Sequence, residues 1–123
     1  MPRNRRSDPD AWLPLKPAHY LILVTLADGD CHAYALKREV AHRTDGRVRL
    51  GPGTLHRALN QLAEEGLVED SPDRPARTLD DERRRYYRLT ALGRRVAAAE
   101  TERLAALVSA ARVGLGHRRE PVR

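Results

Sequence analysis

Apolar residues in this 123-residue chain fall into four runs with helical spacing and one short run that alternates like a strand. The first run, "AHYLILVTLAD", starts behind Pro17, carries Leu21 to Val24 and Leu26, and stops at Gly29. Proline suits the first turn of a helix, and apolar residues on almost every side mark a well-buried one. A second helix is predicted from about Ala33 to Arg43. There Ala33, Leu36 and Val40, at i, i+3 and i+7, make a buried stripe, and Lys37, Arg38 and Arg43 face outward. "TDG" at 44–46 ends it, with Gly46 suited to the left-handed position after a helix.

The third run is "GPGTLHRALNQLAEEG", residues 51–66. Gly51 fits the N-cap and Pro52 the first helical position. Leu55, Leu59, Leu62 and Gly66 follow one side. At 100° per residue Thr54, Arg57, Gln61 and Glu64 fall roughly opposite, and His56 and Asn60 flank the stripe. A hydrogen-bonding face therefore begins at a helix N-terminus, where backbone N–H groups are free and the dipole is positive.

Beyond Gly66, "LVED" reads as a short strand, followed by a Pro- and Asp-rich segment from Ser71 to Asp81. "RRRYYRLT" then sets Arg85, Tyr87 and Leu89 on one face and Arg84, Tyr86 and Arg88 on the other, with Tyr87 and Leu89 expected inward. The two strands form a hairpin whose loop, about ten residues, is long for its kind. Thr90 is a good N-cap for a last helix over about 91–113, with the stripe Leu92, Val96, Ala99, Leu104, Leu107, Val108 and Ala111. Such a helix is about 33 Å long. It overhangs a core of this size, so its apolar face is expected to meet another chain.

Composition narrows the fold. With no Phe and one Trp, the core must be Leu, Val and Ala, which favours helices. Small helical proteins of this kind often complete their core by dimerising. The expected fold is mainly α with a small two-stranded β-wing, in the helix, helix, helix, wing, long-helix order of a winged helix-turn-helix. Its parts are a flexible N-terminal tail over 1–12, the winged domain over 13–90, a dimerisation helix over 91–115 and a flexible tail over 116–123.

Charge adds a partner. The net charge is +6, and only Lys16 and Lys37 among the 23 basic residues are lysines. Arginine is the better fork for phosphate and for guanine edges, although GC-rich coding produces the same skew. Residues 37–57 hold Lys37, Arg38, Arg43, Arg47, Arg49 and Arg57 against Glu39 and Asp45. Residues 69–88 are balanced, six acids against six arginines, and "DDE" at 80–82 would repel phosphate.

Other chemistries find little footing. A single cysteine, Cys31, rules out an internal disulfide framework and fits the cytoplasm. It is expected at a helix start or in the core. Cys31 and His32 are adjacent, but no spaced Cys pair or His-x3-His is present, so no metal is expected. No nucleophile grouping, paired carboxylates or phosphate loop is visible, so neither catalysis nor a cofactor is expected. No apolar stretch reaches about 18 residues, so no membrane partner is expected, and no signal-peptide apolar region follows "MPRNRRSDPD".

"HAYAL" at 32–36, "GPGTLHRALNQLAEEGLVE" at 51–69 and "RRRYYRLTALGRR" at 83–95 come in an order and spacing that resemble the PadR family of transcriptional regulators over residues 13–113. The usual family forms are close to His-Gly-Tyr, Gly-Thr-Leu-Tyr and Arg-Tyr-Tyr-x-Leu-Thr-x-x-Gly. The resemblance implies a dimeric winged-helix repressor on an inverted-repeat operator, with the last helix packed against the partner chain. Many members release double-stranded DNA when a small molecule binds. Two positions depart from the pattern: Ala33 stands for the usual Gly, and His56 for a Tyr that commonly reaches the DNA backbone. His56 would be a weaker, pH-sensitive substitute.

On this reading Thr54 and Arg57 contact base edges or phosphate, with Asn60 and Gln61 behind them, and His56 lies near phosphate. Lys37 and Arg38 hold backbone, as do Arg84 and Arg85 from the wing. Leu92, Val96, Leu104, Leu107, Val108 and Ala111 form the dimer interface. Some members bind flat aromatic drugs with tryptophans on the last helix. That helix has no aromatic residue here, which leaves Trp12 as the candidate for an effector. The alternatives are a winged-helix protein-interaction module and a ligand sensor without specific DNA binding.

Overall fold

A computed structural model describes residues 8–71 and 86–118. Four helices carry the fold: α1 (Pro17–Ala27), α2 (Ala33–Arg43), α3 (Pro52–Glu64) and α4 (Ala91–Arg118). Three short strands, β1 (Cys31–His32), β2 (Val68–Asp70) and β3 (Tyr86–Leu89), form an antiparallel sheet in the order β1-β3-β2. In β3, Leu89 lies opposite Val68 and Arg88 opposite Glu69, while Tyr86 and Tyr87 pair with His32 and Cys31.

The helix starts follow local chemistry. Pro17 and Pro52 open α1 and α3 behind extended Lys16 and Gly51. His32 caps α2 with its ring, Nδ1 accepting the N–H of Ala35 at 3.1 Å. The Thr90 hydroxyl caps α4 by accepting the N–H of Gly93 at 2.9 Å. Between α2 and α3, Asp45 and Gly46 take left-handed φ values of 54° and 78°. The Thr44 hydroxyl donates to the Val40 carbonyl and accepts the Val48 N–H, each at 3.0 Å. These bonds set the angle at which the chain enters α3.

The core gathers Ile22, Leu23 and Leu26 of α1, Leu36 and Val40 of α2, and Leu55, Ala58, Leu59 and Leu62 of α3. Leu67, Val68, Tyr87, Val96 and Ala97 close it from the sheet and α4. Gly66 does not belong to the buried side of α3. The helix ends at Glu64, Gly66 is exposed with φ +79°, and Ala58 fills the buried face instead.

The wing sheet has three strands where two are expected. The third, β1, is two residues long, too short for alternation to announce it. Cys31 lies in it, half-buried, and its thiol is pushed up to about 11 by burial and by the charges of Glu39 and Asp30. It therefore stays a protonated thiol at neutral pH.

The N-terminal boundary also moves. Pro9–Trp12 form a 3-10 turn that packs on α4, with Asp8 accepting the N–H of Asp10 at 3.0 Å. The Trp12 indole donates to Glu65 at 2.7 Å. The Leu15 N–H donates to Glu100 at 3.0 Å, and Arg103 grips both oxygens of the same carboxylate at 2.6 and 3.0 Å. Glu100 is 1% exposed. Hydrogen bonding from Arg103 holds its carboxyl below its ordinary value of 4.5 against the opposing effect of burial, helped by the Leu15 amide and the Arg103 charge. A depressed folded pKa means stability that is full above the ordinary carboxylate value and is lost as pH falls through the folded value. Glu100→Ala is expected to cost about 2 kcal/mol at pH 7, measured by urea melts. The gap from the parent protein should close on acidification.

α4 has 28 residues, about 42 Å, and runs to Arg118, so residues 116–118 are helical rather than tail. Its first three turns belong to this chain's own core. Val96 is fully buried there and Leu92 half-buried against it, so Val96 has no surface left for a partner. Beyond Leu104 the helix projects from the core and exposes Leu107, Val108, Val113 and Leu115.

Candidate nucleic-acid interface

The outward face of α3 carries the residues expected to read DNA. Thr54, His56, Arg57, Asn60 and Gln61 are all exposed, while Leu55, Ala58, Leu59 and Leu62 are buried. Helical periodicity separates the two sets except for Ala58, which the expected stripe leaves out. Gly51 provides no side-chain cap, so the dipole at the start of α3 faces outward without a carboxylate to offset it. The Arg57 guanidinium lies back along the first turn beside Gly53.

Thr54, Arg57 and Gln61 also line a notch of roughly 150 Å³ against Lys16, Ala18 and His19 at the start of α1. Gln61 and His19 line it together. The His19 pKa is lowered by burial first and by the Lys16 charge second, with Glu65 and Gln61 opposing. His19 is therefore mainly neutral at pH 7. Lys16 and His19 belong to this surface although helix periodicity could not place them there. They come from another element, and only the packing of α1 on α3 brings them in.

On the other flank, Lys37 and Arg38 of α2 share a cleft of roughly 480 Å³ with Tyr34, Ala41, Arg49, Leu50 and Gly51. Among the described residues, Lys37, Arg38, Arg47, Arg49 and Arg57 make no ion pair with a carboxylate. Arg43 is different, since it pairs with Asp28, and Arg88 in β3 pairs with Glu69 at 2.7 Å. The unpaired positive charge therefore surrounds α3. Arg84 and Arg85 lie outside the described residues.

Among the described residues no group of three or more His, Cys, Asp or Glu side chains has a metal-binding arrangement. No described helix is long and apolar enough to cross a membrane.

Four helices and a small antiparallel sheet, with the third helix exposed amid cations that have no carboxylate partner among the described residues, define a winged helix-turn-helix protein. The chain belongs to the PadR-like family of transcriptional regulators, whose profile matches residues 22–99. It is a DNA-binding regulator of transcription by family. The solved structures it resembles include a PadR family transcription regulator from Clostridium difficile R20291, at TM-score 0.67 and 20% identity over 81% of this chain and 99% of that one. A transcriptional regulator from Clostridium thermocellum matches at TM-score 0.65 and 22% identity, covering 80% of this chain and 89% of the other. RosR of H. salinarum matches at TM-score 0.58 and 24% identity, over 85% and 99%. A search of curated proteins found no match in sequence.

Proposed function

We propose that this regulator is a dimeric cytoplasmic repressor that binds an inverted-repeat operator, each protomer placing α3 in a major groove. The observation that carries the reading is the exposed first half of α3, with Thr54, His56 and Arg57 outward and, among the described residues, no carboxylate pairing the cations around it. Arginine bidentate to guanine is the commonest specific base contact. The dimer is supported by the projecting half of α4, where Leu107, Val108, Val113 and Leu115 are exposed on one chain. Ala111 is exposed in the same stretch and Leu104 half-buried at its base. A small-molecule effector that releases DNA completes the reading. Trp12 lines a groove of roughly 570 Å³ with Glu64, Glu65, Leu92 and Arg95, where α3 ends against α4.

Selection of bound sites from random DNA at about 150 mM salt, where non-specific phosphate binding is weak, tests this. The expected product is an inverted repeat with half-sites about one helical turn, roughly 34–36 Å, apart. No enrichment from folded protein would overturn specific DNA reading and turn attention to protein partners. Arg57→Ala is expected to lose about 1–3 kcal/mol of operator binding and to relax preference at one base position. A band shift with unchanged affinity would remove Arg57 from that role. Repression itself is read from transcription of an operator-bearing promoter, which should fall when the protein is added.

A further inference from the structure

We propose that residues 8–15 form a brace between the reading helix α3 and the projecting α4, with Trp12, Glu65 and Glu100 as positioning residues that fix which spacing of operator half-sites the protein accepts. This rests on the dimeric operator-binding reading above and names how its two reading helices are held at a set distance.

α4 leaves the core as a rod, and a rod is aimed only when it is held at two points along its length. The first point is Gly93, whose backbone lies on the Leu67 carbonyl with no room for a Cβ. The second is Glu100, about 10 Å further along the helix axis. Its side chain is buried, and a buried carboxylate must be paired. Arg103 donates to both of its oxygens from the same helix, and the Leu15 N–H donates to it at 3.0 Å. The Leu15 donor is main chain, so this bond holds the segment itself rather than the tip of one side chain. Thr101, the next residue, is tied to α1 by the Tyr20 hydroxyl.

α1 does not tie this part of α4 to the end of the reading helix, and the brace does. Pro9–Trp12 form a 3-10 turn that packs on α4 and is capped by the Asp8 carboxylate. From that turn the Trp12 indole donates to Glu65, the residue that ends α3, at 2.7 Å. Trp12 also lines the groove between Ala63, Glu64 and Gly66 at the end of α3 and Leu92 and Arg95 of α4. Leu13 and Leu15 pack on the core beneath. One continuous stretch of chain therefore touches the end of α3 and the place where α4 begins to project. Val108, exposed on the projecting half, lies about 22 Å along the axis from Gly93. A tilt of about 10° at Gly93 would carry it about 4 Å, while successive base pairs rise about 3.4 Å. A small loss of aim at the brace changes the separation of the reading helices by about one base pair.

The test titrates the full-length protein with inverted repeats that keep the selected half-sites and change the gap between them in single-base-pair steps. Trp12→Phe keeps an aromatic ring and removes the indole N–H. Glu65→Ala removes its acceptor, and Glu65→Gln keeps one. The parent should favour one gap over its neighbours by about tenfold or more. Trp12→Phe and Glu65→Ala should cut that preference to about threefold or less, with dimer mass and affinity for a single half-site unchanged. Glu65→Gln should retain the parental preference. Affinity lowered by one common factor at every gap, the mark of a merely less stable protein, would overturn the brace. So would parental gap preference in both Trp12→Phe and Glu65→Ala, or a parent that binds the repeat equally well at every gap. A folded parent that selects no inverted repeat would overturn the dimeric operator reading together with the brace. Glu65 is exposed, so Glu65→Ala remains a test even if Trp12→Phe fails to fold.

Discussion

Replacing Gly93 by alanine is expected to destabilise the protein by about 3 kcal/mol or more, a large share of the roughly 5–15 kcal/mol that holds such a domain together. Gly93 is in the first turn of α4, where the helix lies directly on the backbone between α3 and β2. A Cβ there would stand 2.0 Å from the Leu67 carbonyl oxygen, and 2.9 Å from both the Leu67 carbonyl carbon and Leu89 Cδ1. The obstacle is main chain, which cannot turn aside as a side chain can. The peptide units on both sides of Leu67 are fixed, its N–H donating to the Leu62 carbonyl at 2.9 Å and its carbonyl accepting the Thr90 N–H at 3.1 Å. The Thr90 hydroxyl also donates to the Gly66 carbonyl at 2.6 Å. Alanine gains about 1 kcal/mol in helix propensity over glycine, too little to offset an overlap of this depth. Urea denaturation measures the loss. Gly114→Ala is the matched control, because nothing lies within 4 Å of its added Cβ, and it should be neutral or slightly stabilising. A Gly93→Ala midpoint equal to the parent's would mean that α4 does not approach Leu67 this closely. The same geometry gives a physical meaning to the Thr-x-x-Gly of the PadR pattern: Thr90 ties α4 to the α3–β2 turn, and Gly93 lets the helix come down on it.

What the sequence revealed and what it hid divide along the range of the interactions. The limits of α2, the start of α1 at Pro17 and the start of α3 behind Gly51 are set by residues within one turn, so local patterns show them. The exposed face of α3 follows from periodicity in the same way, while its buried face holds Ala58 and not the expected Gly66. β1 exists because Tyr86 and Tyr87 lie beside Cys31 and His32, a partner that a two-residue strand does not advertise. Glu100 looks like a surface acid on an amphipathic helix until the Leu15 amide and the N-terminal turn cover it. Val96 sits on one continuous stripe with Leu104 and Val108. Periodicity has no mark for where a chain's own core ends and a free surface begins. At the candidate interface, Arg57 and Thr54 were legible from α3 alone. Lys16, His19, Tyr34 and Arg49 were not, because each reaches that surface from a neighbouring element or loop.

Val108→Asp is expected to yield a folded monomer whose operator affinity is down by about 10²–10⁴-fold, the loss that follows when two linked half-site contacts become one. Val108 is 47% exposed and lines a groove of roughly 740 Å³ with Tyr20, Leu104, Ala105 and Arg112. The groove is wide and shallow on a single chain. Its base is firm, since the Tyr20 hydroxyl bonds Thr101 at 2.7 Å and so ties α1 to α4. A carboxylate placed there meets water in the monomer and apolar side chains in the dimer. The substitution therefore penalises association far more than folding. Light scattering reads the mass, and titration of operator DNA reads the affinity. The two results must move together: monomeric protein that still binds the full inverted repeat at parental affinity would separate DNA binding from dimerisation, and a dimer that persists would place the interface elsewhere. Arg57→Ala is the complementary control. It should remain dimeric and lose operator preference, because its side chain lies on α3, away from the projecting half of α4. If each substitution abolishes only its own property, the apolar stripe of α4 has two successive jobs. Its first turns close the chain's own core around Val96, and its later turns hold two reading helices at the spacing of the operator.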